Sequence, residues 1–106
     1  VNGVHTSESA ELLESILRQE WGFEGLVMTD WVVHGMTRTD MKNPRATASA
    51  TIKAGNELFM PGCEEDRQDI LAALRGGAGA AVRLSRSELE KQAARVVRMA
   101  RALAGQ

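Results

Sequence analysis

The sequence predicts an α/β fold with parallel strands, about two βα units plus flanking helices. Three observations carry that expectation. The stretch from Glu20 to Trp31 joins the end of a helical pattern at Trp21-Gly22 to a short apolar run, Leu26-Val27-Met28, released by Gly25 and stopped at Asp30 and Trp31. A continuously apolar run that follows a helix and ends at turn residues reads as a strand covered on both faces, the usual state in a parallel sheet. The same order recurs at Glu57-Leu58-Phe59-Met60, closed by Pro61-Gly62. Between and around the runs lie helical stripes, the clearest being Leu12, Leu13, Ile16 and Leu17.

The elements follow in order. Val1 to Thr6 has the character of a loop, with Asn2-Gly3 as its turn signal. Thr6, Ser7 and Ser9 can each cap a helix over about residues 8–20, and Glu8 and Glu11 suit the positive end of its dipole. Trp21 and Phe23 are expected to pack the end of that helix on the sheet. The first strand is placed near residues 25–29. A long loop over 31–43 follows, and loops at this end of a strand commonly shape a binding site. Asn43 is the expected cap, and Pro44 the first-turn residue, of a second helix near 45–54, rich in Ala and Thr and ended by Gly55. The second strand spans 57–60. Glu64, Glu65 and Asp66 open a third helix near 65–75, with Ile70, Leu71 and Leu74 as its apolar stripe. Gly76 to Ala81 is the most flexible-looking segment. Ser85, with Glu88 three residues on, forms a capping box for a last helix near 86–103. Its buried face is expected to be Leu89, Ala93, Val96, Val97, Ala100 and Leu103.

Composition bounds what this chain can do. It has 106 residues, enough for one small domain, with 43% hydrophobic content and a net charge of -1. That charge gives no general attraction to nucleic acid or an anionic membrane. No apolar run approaches the roughly 20 residues that cross a bilayer. The single cysteine, Cys63, excludes an intrachain disulfide and leaves the redox compartment open. The start at Val1, without an initiator Met, fits a segment whose parent's N-terminus lies elsewhere.

Carboxyl ends of parallel strands are where α/β folds place their chemistry. Asp30 stands there, beside the flat indole of Trp31, which suggests a catalytic carboxylate with a sugar-stacking wall. The plainer alternative makes Asp30 a turn cap and Trp31 a core residue. Glu57, Glu64 and Glu65 are the nearby carboxylates, with structural roles at a strand start and a helix N-terminus. His5, His34 and Cys63 fit no metal-ligand spacing, so no metal and no cofactor is assigned. Arg83, Arg86, Lys91, Arg95, Arg98 and Arg101 form a basic stretch interrupted by Glu88 and Glu90 and without aromatic company, which reads as a solvated helix face. Gly76-Gly77-Ala78-Gly79 follows a helix and opens none, so it is not a phosphate loop.

Several spaced blocks also resemble the family-3 glycoside hydrolases, which include β-glucosidases and β-xylosidases. They are Val1-Asn2-Gly3-Val4, Glu11-Leu12-Leu13, Ile16-Leu17-Arg18, Glu20-Trp21-Gly22-Phe23-Glu24-Gly25, Thr29-Asp30-Trp31 and Lys53-Ala54-Gly55-Asn56-Glu57-Leu58-Phe59-Met60-Pro61-Gly62. The resemblance implies a fragment of a (β/α)8 TIM-like barrel, because a whole barrel takes about 250 residues. It implies the C-terminal part of that catalytic domain, over residues 1–106. It makes Asp30 the nucleophile of a retaining mechanism and Trp31 a substrate-binding wall, with the acid/base Glu outside this chain. Members that cleave N-acetylglucosaminides carry a different residue where Trp31 stands, so the glucosidase or xylosidase branch is favoured. The run Val32-Val33-His34 departs from the family's usual small residue after the Trp. The upstream Lys-His pair that holds sugar hydroxyls in the family is not in this chain.

Two functions therefore compete. In one, the chain is part of a retaining β-glycosidase whose partner is a carbohydrate substrate. In the other it is a non-catalytic α/β binding or assembly module. Taken alone, the chain is expected to self-associate, since two βα units leave apolar faces and strand edges uncovered.

Overall fold

The computed structural model describes residues 1–31, 45–76 and 82–105. The expected loop over 31–43, with Asn43 and Pro44 after it, lies outside the described residues apart from Trp31, as does most of the Gly76–Ala81 segment.

A single 3-10 turn, Thr6–Glu8, leads into a π-helix, Glu11–Glu20. Strand β1 is Met28–Trp31 and strand β2 is Leu58–Met60. Helix α1 is Ala48–Ala54, α2 is Glu64–Leu74 and α3 is Arg86–Ala104. The two strands pair in parallel, as expected, with α1 in the crossover between them.

Helix α1 is the centre of the packing. Ala48, Ser49, Ala50, Thr51, Ile52 and Ala54 are all buried, so the helix is covered on nearly every side. Small side chains permit that close approach from several neighbours. Ile52, Ala73 and Leu84 form the core, with Phe59, Ile70, Leu74 and Leu89 packed on it. The backbone ends of α1 are satisfied from outside as well as locally. Thr47 Oγ1 accepts from the Ala50 N–H at 3.4 Å, and the Asp69 carboxylate on α2 accepts from the Ser49 N–H at 2.7 Å. At the other end Gly55 has φ 122°, where a side chain would be strained, and an added Cβ would lie 3.0 Å from Glu14 Oε1.

Several expectations are corrected here. The first helix is wider than an α-helix, ending with the Trp21 N–H donating to Ile16 O, five residues back. Ser9 serves its start, accepting from the Leu12 N–H at 3.3 Å. Trp21 does not pack on the sheet; it is 74% exposed. Phe23 turns back instead, beneath the Arg18 guanidinium at 5.6 Å from the ring centre. The first strand begins three residues later than placed and runs on through Asp30 and Trp31. Before it, side chains hold the backbone: Arg18 Nη1 donates to Gly25 O and the Val27 N–H donates to Glu57 Oε2. Helix α1 starts at Ala48 with Thr47 as its cap, later than the position expected from Asn43 and Pro44.

Helix α3 keeps its predicted cap, with the Glu88 N–H donating to Ser85 Oγ at 3.1 Å and the Ser85 N–H to Glu88 Oε1 at 3.0 Å. Its inward face is rotated from the expected one. Gln92 is the buried residue, flanked by partly buried Leu89, Arg95, Val96 and Met99, while Val97 and Leu103 are exposed. The reason is polar. Gln92 Nε2 donates to Ile52 O at 3.0 Å, near the C-terminal end of α1, and Gln92 Oε1 accepts from Arg95 Nη1 at 2.6 Å. A helix end that needs a donor selects an amide over a methyl group at that place.

Candidate functional site

The two strands present very different surroundings at their two ends. At the amino end, Glu57 immediately precedes β2. Its Oε1 accepts from Arg18 Nη2 at 2.6 Å and from Arg95 Nη1 at 3.0 Å, and its Oε2 takes the Val27 N–H at 2.7 Å. The side chains of Glu57, Arg18 and Arg95 are 0%, 6% and 9% exposed, so this is a buried ion cluster. Glu14 extends it, bonded to Arg95 at 3.1 Å and paired with Lys91 at 3.4 Å. Burial pushes the Glu14 carboxyl up, but the Arg95 hydrogen bond and charge, helped by Lys91, leave it below the ordinary value. Burial likewise pushes the Arg95 guanidinium down, and Glu14 and Glu57 more than restore it. Glu57 is thus structural, as its place at a strand start suggested. Arg95 is not a solvated basic residue but a buried tie.

At the carboxyl end, Asp30 lies within β1 and is exposed. It lines an open cavity of about 330 Å³ together with His5, Thr6, Ser7, Leu13, Val27, Met28, Thr29 and Asn56. Three features shape that cavity. Asn56 is buried and its Nδ2 donates to Ser7 O at 2.7 Å, fixing the entry loop against the end of α1. Glu8 Oε1 accepts the Thr47 N–H at 2.8 Å, a second tie from the same loop. His5 lines the cavity too, and its Nε2 is buried with no hydrogen-bond partner among the described residues. Local sequence assigns His5 only a packed or solvated role, and Asn56 none. Nothing local signals either, because their partners are loop and helix-end carbonyls far along the chain.

Met28 and Asp30 share one face of β1, and Met28 stands opposite Leu58 on β2. Met28 and Leu58 are both exposed, whereas Thr29 is buried and Phe59 packs on the core. The helices therefore cover one face of the sheet, and Asp30 alternates onto the other. The backbone of Trp31 closes β1, paired with Met60. The stacking role expected of its indole lies outside what is described.

The remaining candidates divide plainly. Glu64 bonds to Gln68 and Arg67, which hold its carboxyl below the ordinary value, and Glu65 pairs with Arg45 at 3.1 Å. Cys63 is exposed at the cap of α2, where the Cys63 N–H donates to Asp66 Oδ2. His34 lies outside the described residues. Among the described residues no three His, Cys, Asp or Glu side chains converge as a metal site, and no helix is long and apolar enough to cross a membrane. Chemically, an exposed carboxylate on a strand's carboxyl half, facing an open cavity, can act as a nucleophile or as a charge stabiliser.

The chain is similar to known proteins over most of its length. Residues 1–99 match the Glycosyl hydrolase family 3 N terminal domain. A β-glucosidase of Rhizobium radiobacter is 44% identical over 78 residues, which is 73% of this chain and 8% of that protein. A probable β-glucosidase K of Emericella nidulans is 37% identical over 97 residues, covering 92% and 10% of the two chains. An exo-α-(1→6)-L-arabinopyranosidase of Bifidobacterium breve is 36% identical over 93 residues, covering 88% and 10%. Among solved structures, the family-3 β-glucosidase of Bifidobacterium adolescentis superposes with a TM-score of 0.59 at 35% identity, over 87% of this chain and 11% of that one. The chain spans about a tenth of the length of these relatives.

Proposed function

The chain belongs to glycosyl hydrolase family 3, and from that premise we propose that it is the C-terminal part of the catalytic (β/α)8-like barrel of a retaining β-glycosidase, with Asp30 as nucleophile. The observation that carries this reading is the placement of Asp30: exposed, on the carboxyl half of a parallel strand, in the wall of a cavity of about 330 Å³. The barrel is supported by the parallel pairing of β1 and β2, with helices packed on one face of the sheet and Asp30 on the other. A barrel has that arrangement, its strands facing inward and its helices forming an outer ring.

The chemistry follows from the carboxylate. An Asp30 oxygen attacks the anomeric carbon while the bond to the leaving oxygen breaks. A general acid protonates that oxygen, and water then releases the sugar from the glycosyl-enzyme ester. A retaining mechanism needs the second carboxyl group about 5–5.5 Å from the first. Glu57 lies at the opposite end of the sheet, and Glu64 and Glu65 are engaged on α2. As the family resemblance implies, the acid/base Glu is assigned to a part of the enzyme outside this chain. Trp31, directly after the nucleophile, walls the sugar site. The substrate is a β-glucoside or β-xyloside. β-Glucosidase relatives support the first of these, and the arabinopyranosidase relative marks how readily the sugar changes within similar sequences.

The test uses the full-length protein that carries this segment. A 2-fluoro glycoside, which stalls at the covalent intermediate, is expected to label the peptide containing Asp30. Labelling of another carboxylate would end the assignment.

A further inference from the structure

The register between the strands slips between Met28 and Trp31. Met28 stands opposite Leu58, and Trp31 stands opposite Met60, so β1 takes three steps where β2 takes two. One extra residue therefore sits in the Thr29-Asp30 segment of β1. An extra residue bends its strand, increases the local twist and leaves main-chain groups to be satisfied in some other way. Such bulges are uncommon in parallel pairs and tend to occur where a side chain must be re-aimed.

At this bulge a side chain helps to hold the strands together. The Met60 N–H donates to Thr29 Oγ1 at 2.9 Å, and Thr29 is 6% exposed. Met60 is followed by Pro61, which has no N–H. The Met60 amide is thus the last main-chain donor that β2 offers before the chain turns away. A hydroxyl on β1 takes it, at the residue directly before Asp30.

We infer that Thr29 is a positioning residue for the nucleophile: its hydroxyl, by accepting the Met60 N–H, holds the slipped register that fixes where Asp30 stands along β1 relative to the end of β2. The inference rests on the assignment of Asp30 above. Thr29 is buried and its hydroxyl is engaged by the Met60 N–H, so its part is to hold the strand. Without the hydroxyl, β1 is free to settle into an unbulged register, which would rotate or shift the Asp30 carboxylate. Displacement of a reacting group by about 1 Å can cost as much as 100-fold in rate.

The experiment compares Thr29→Val and Thr29→Ser in the full-length enzyme. Valine keeps the branched shape and fills the buried site but accepts no hydrogen bond. Serine keeps the acceptor. The wild-type enzyme is first labelled with a 2-fluoro glycoside, and a label on a peptide other than that of Asp30 refutes the nucleophile assignment by itself. With the label on Asp30, Thr29→Val should be inactivated up to about 100-fold more slowly per folded site, with kcat falling and KM little changed. Thr29→Ser should stay near the wild-type rate. Labelling of Thr29→Val at the wild-type rate, equal slowing in both variants, or a loss that merely follows the folded fraction would each overturn the inference. Should Thr29→Val not fold, Thr29→Ala supplies the same comparison. Failure of both beside an intact Thr29→Ser would make Thr29 a folding residue and also overturn it.

Discussion

Two carboxylates stand at opposite ends of one small parallel sheet, and their surroundings could hardly differ more. The Glu57 side chain is fully buried and engaged by two guanidinium groups and a main-chain N–H. Asp30 is exposed in the wall of an open cavity. A buried charge is tolerable only when its partners replace water, and those partners then lock it in place. Glu57 is thereby committed to joining the starts of β1 and β2 to the π-helix and α3. A carboxylate that must attack a substrate cannot be enclosed in that way. The amino end of the sheet is tied down and the carboxyl end is left open, the division that the proposed barrel strand and nucleophile would need.

The largest expected effect tests that division directly. In the full-length protein, Asp30→Asn should abolish glycoside turnover while the melting temperature and circular dichroism stay near wild type. An unfolded variant would place Asp30 on the structural side of the comparison. Glu57→Ala should do the reverse. Removing one partner of a buried ion pair strands the other charges and costs about 3–5 kcal/mol, so thermal unfolding should move well down. A Glu57→Ala variant of normal stability would show the cluster to be incidental.

The bare face of the sheet gives a third test. Met28 and Leu58 lie exposed side by side, and among the described residues both strands are edge strands. The isolated 106-residue chain should therefore self-associate in sedimentation at high concentration and bind an apolar dye, and it should hydrolyse no aryl β-glucoside. A strict monomer without dye binding would break the argument.

Smaller effects sharpen the amino-end account. Ser85→Ala removes the hydroxyl that accepts the Glu88 N–H and should cost about 1 kcal/mol. Acid provides the finest probe. The Glu14 carboxyl is held below its ordinary value in the folded chain, so its contribution is fully present above that ordinary value. It is lost as pH falls through the lowered, folded-state value. Glu14→Gln should flatten the acid limb of stability in that window, and an unchanged limb would assign the acid response elsewhere.

Much of this chain was legible from local signals. The Ser85–Glu88 box, the stop at Gly55, the span of α2 and the parallel order of the two strands depend on residues close in sequence or on simple apolar runs. The misplaced details share another cause. Trp21 reads as packing on the sheet because it ends a helix before a strand, but Phe23 and Arg18 occupy that end of the helix and Trp21 is exposed. The α3 stripe was read from methyl groups, whereas Gln92 and Arg95 turn inward to serve the carbonyl of Ile52 and the carboxylates of Glu57 and Glu14.

By itself the sequence determined the element types, most of their caps and the family resemblance, because these depend on short-range backbone chemistry and ordered motifs. The tertiary structure alone decided which polar groups face inward. Arg18 reaches Glu57 across 39 positions and Arg95 reaches Glu14 across 81. It also decided the strand slip at Thr29 and Asp30, since a register exists only between two strands. Periodicity within one segment carries no information about the partner that will need its donors, its charges or its one extra residue.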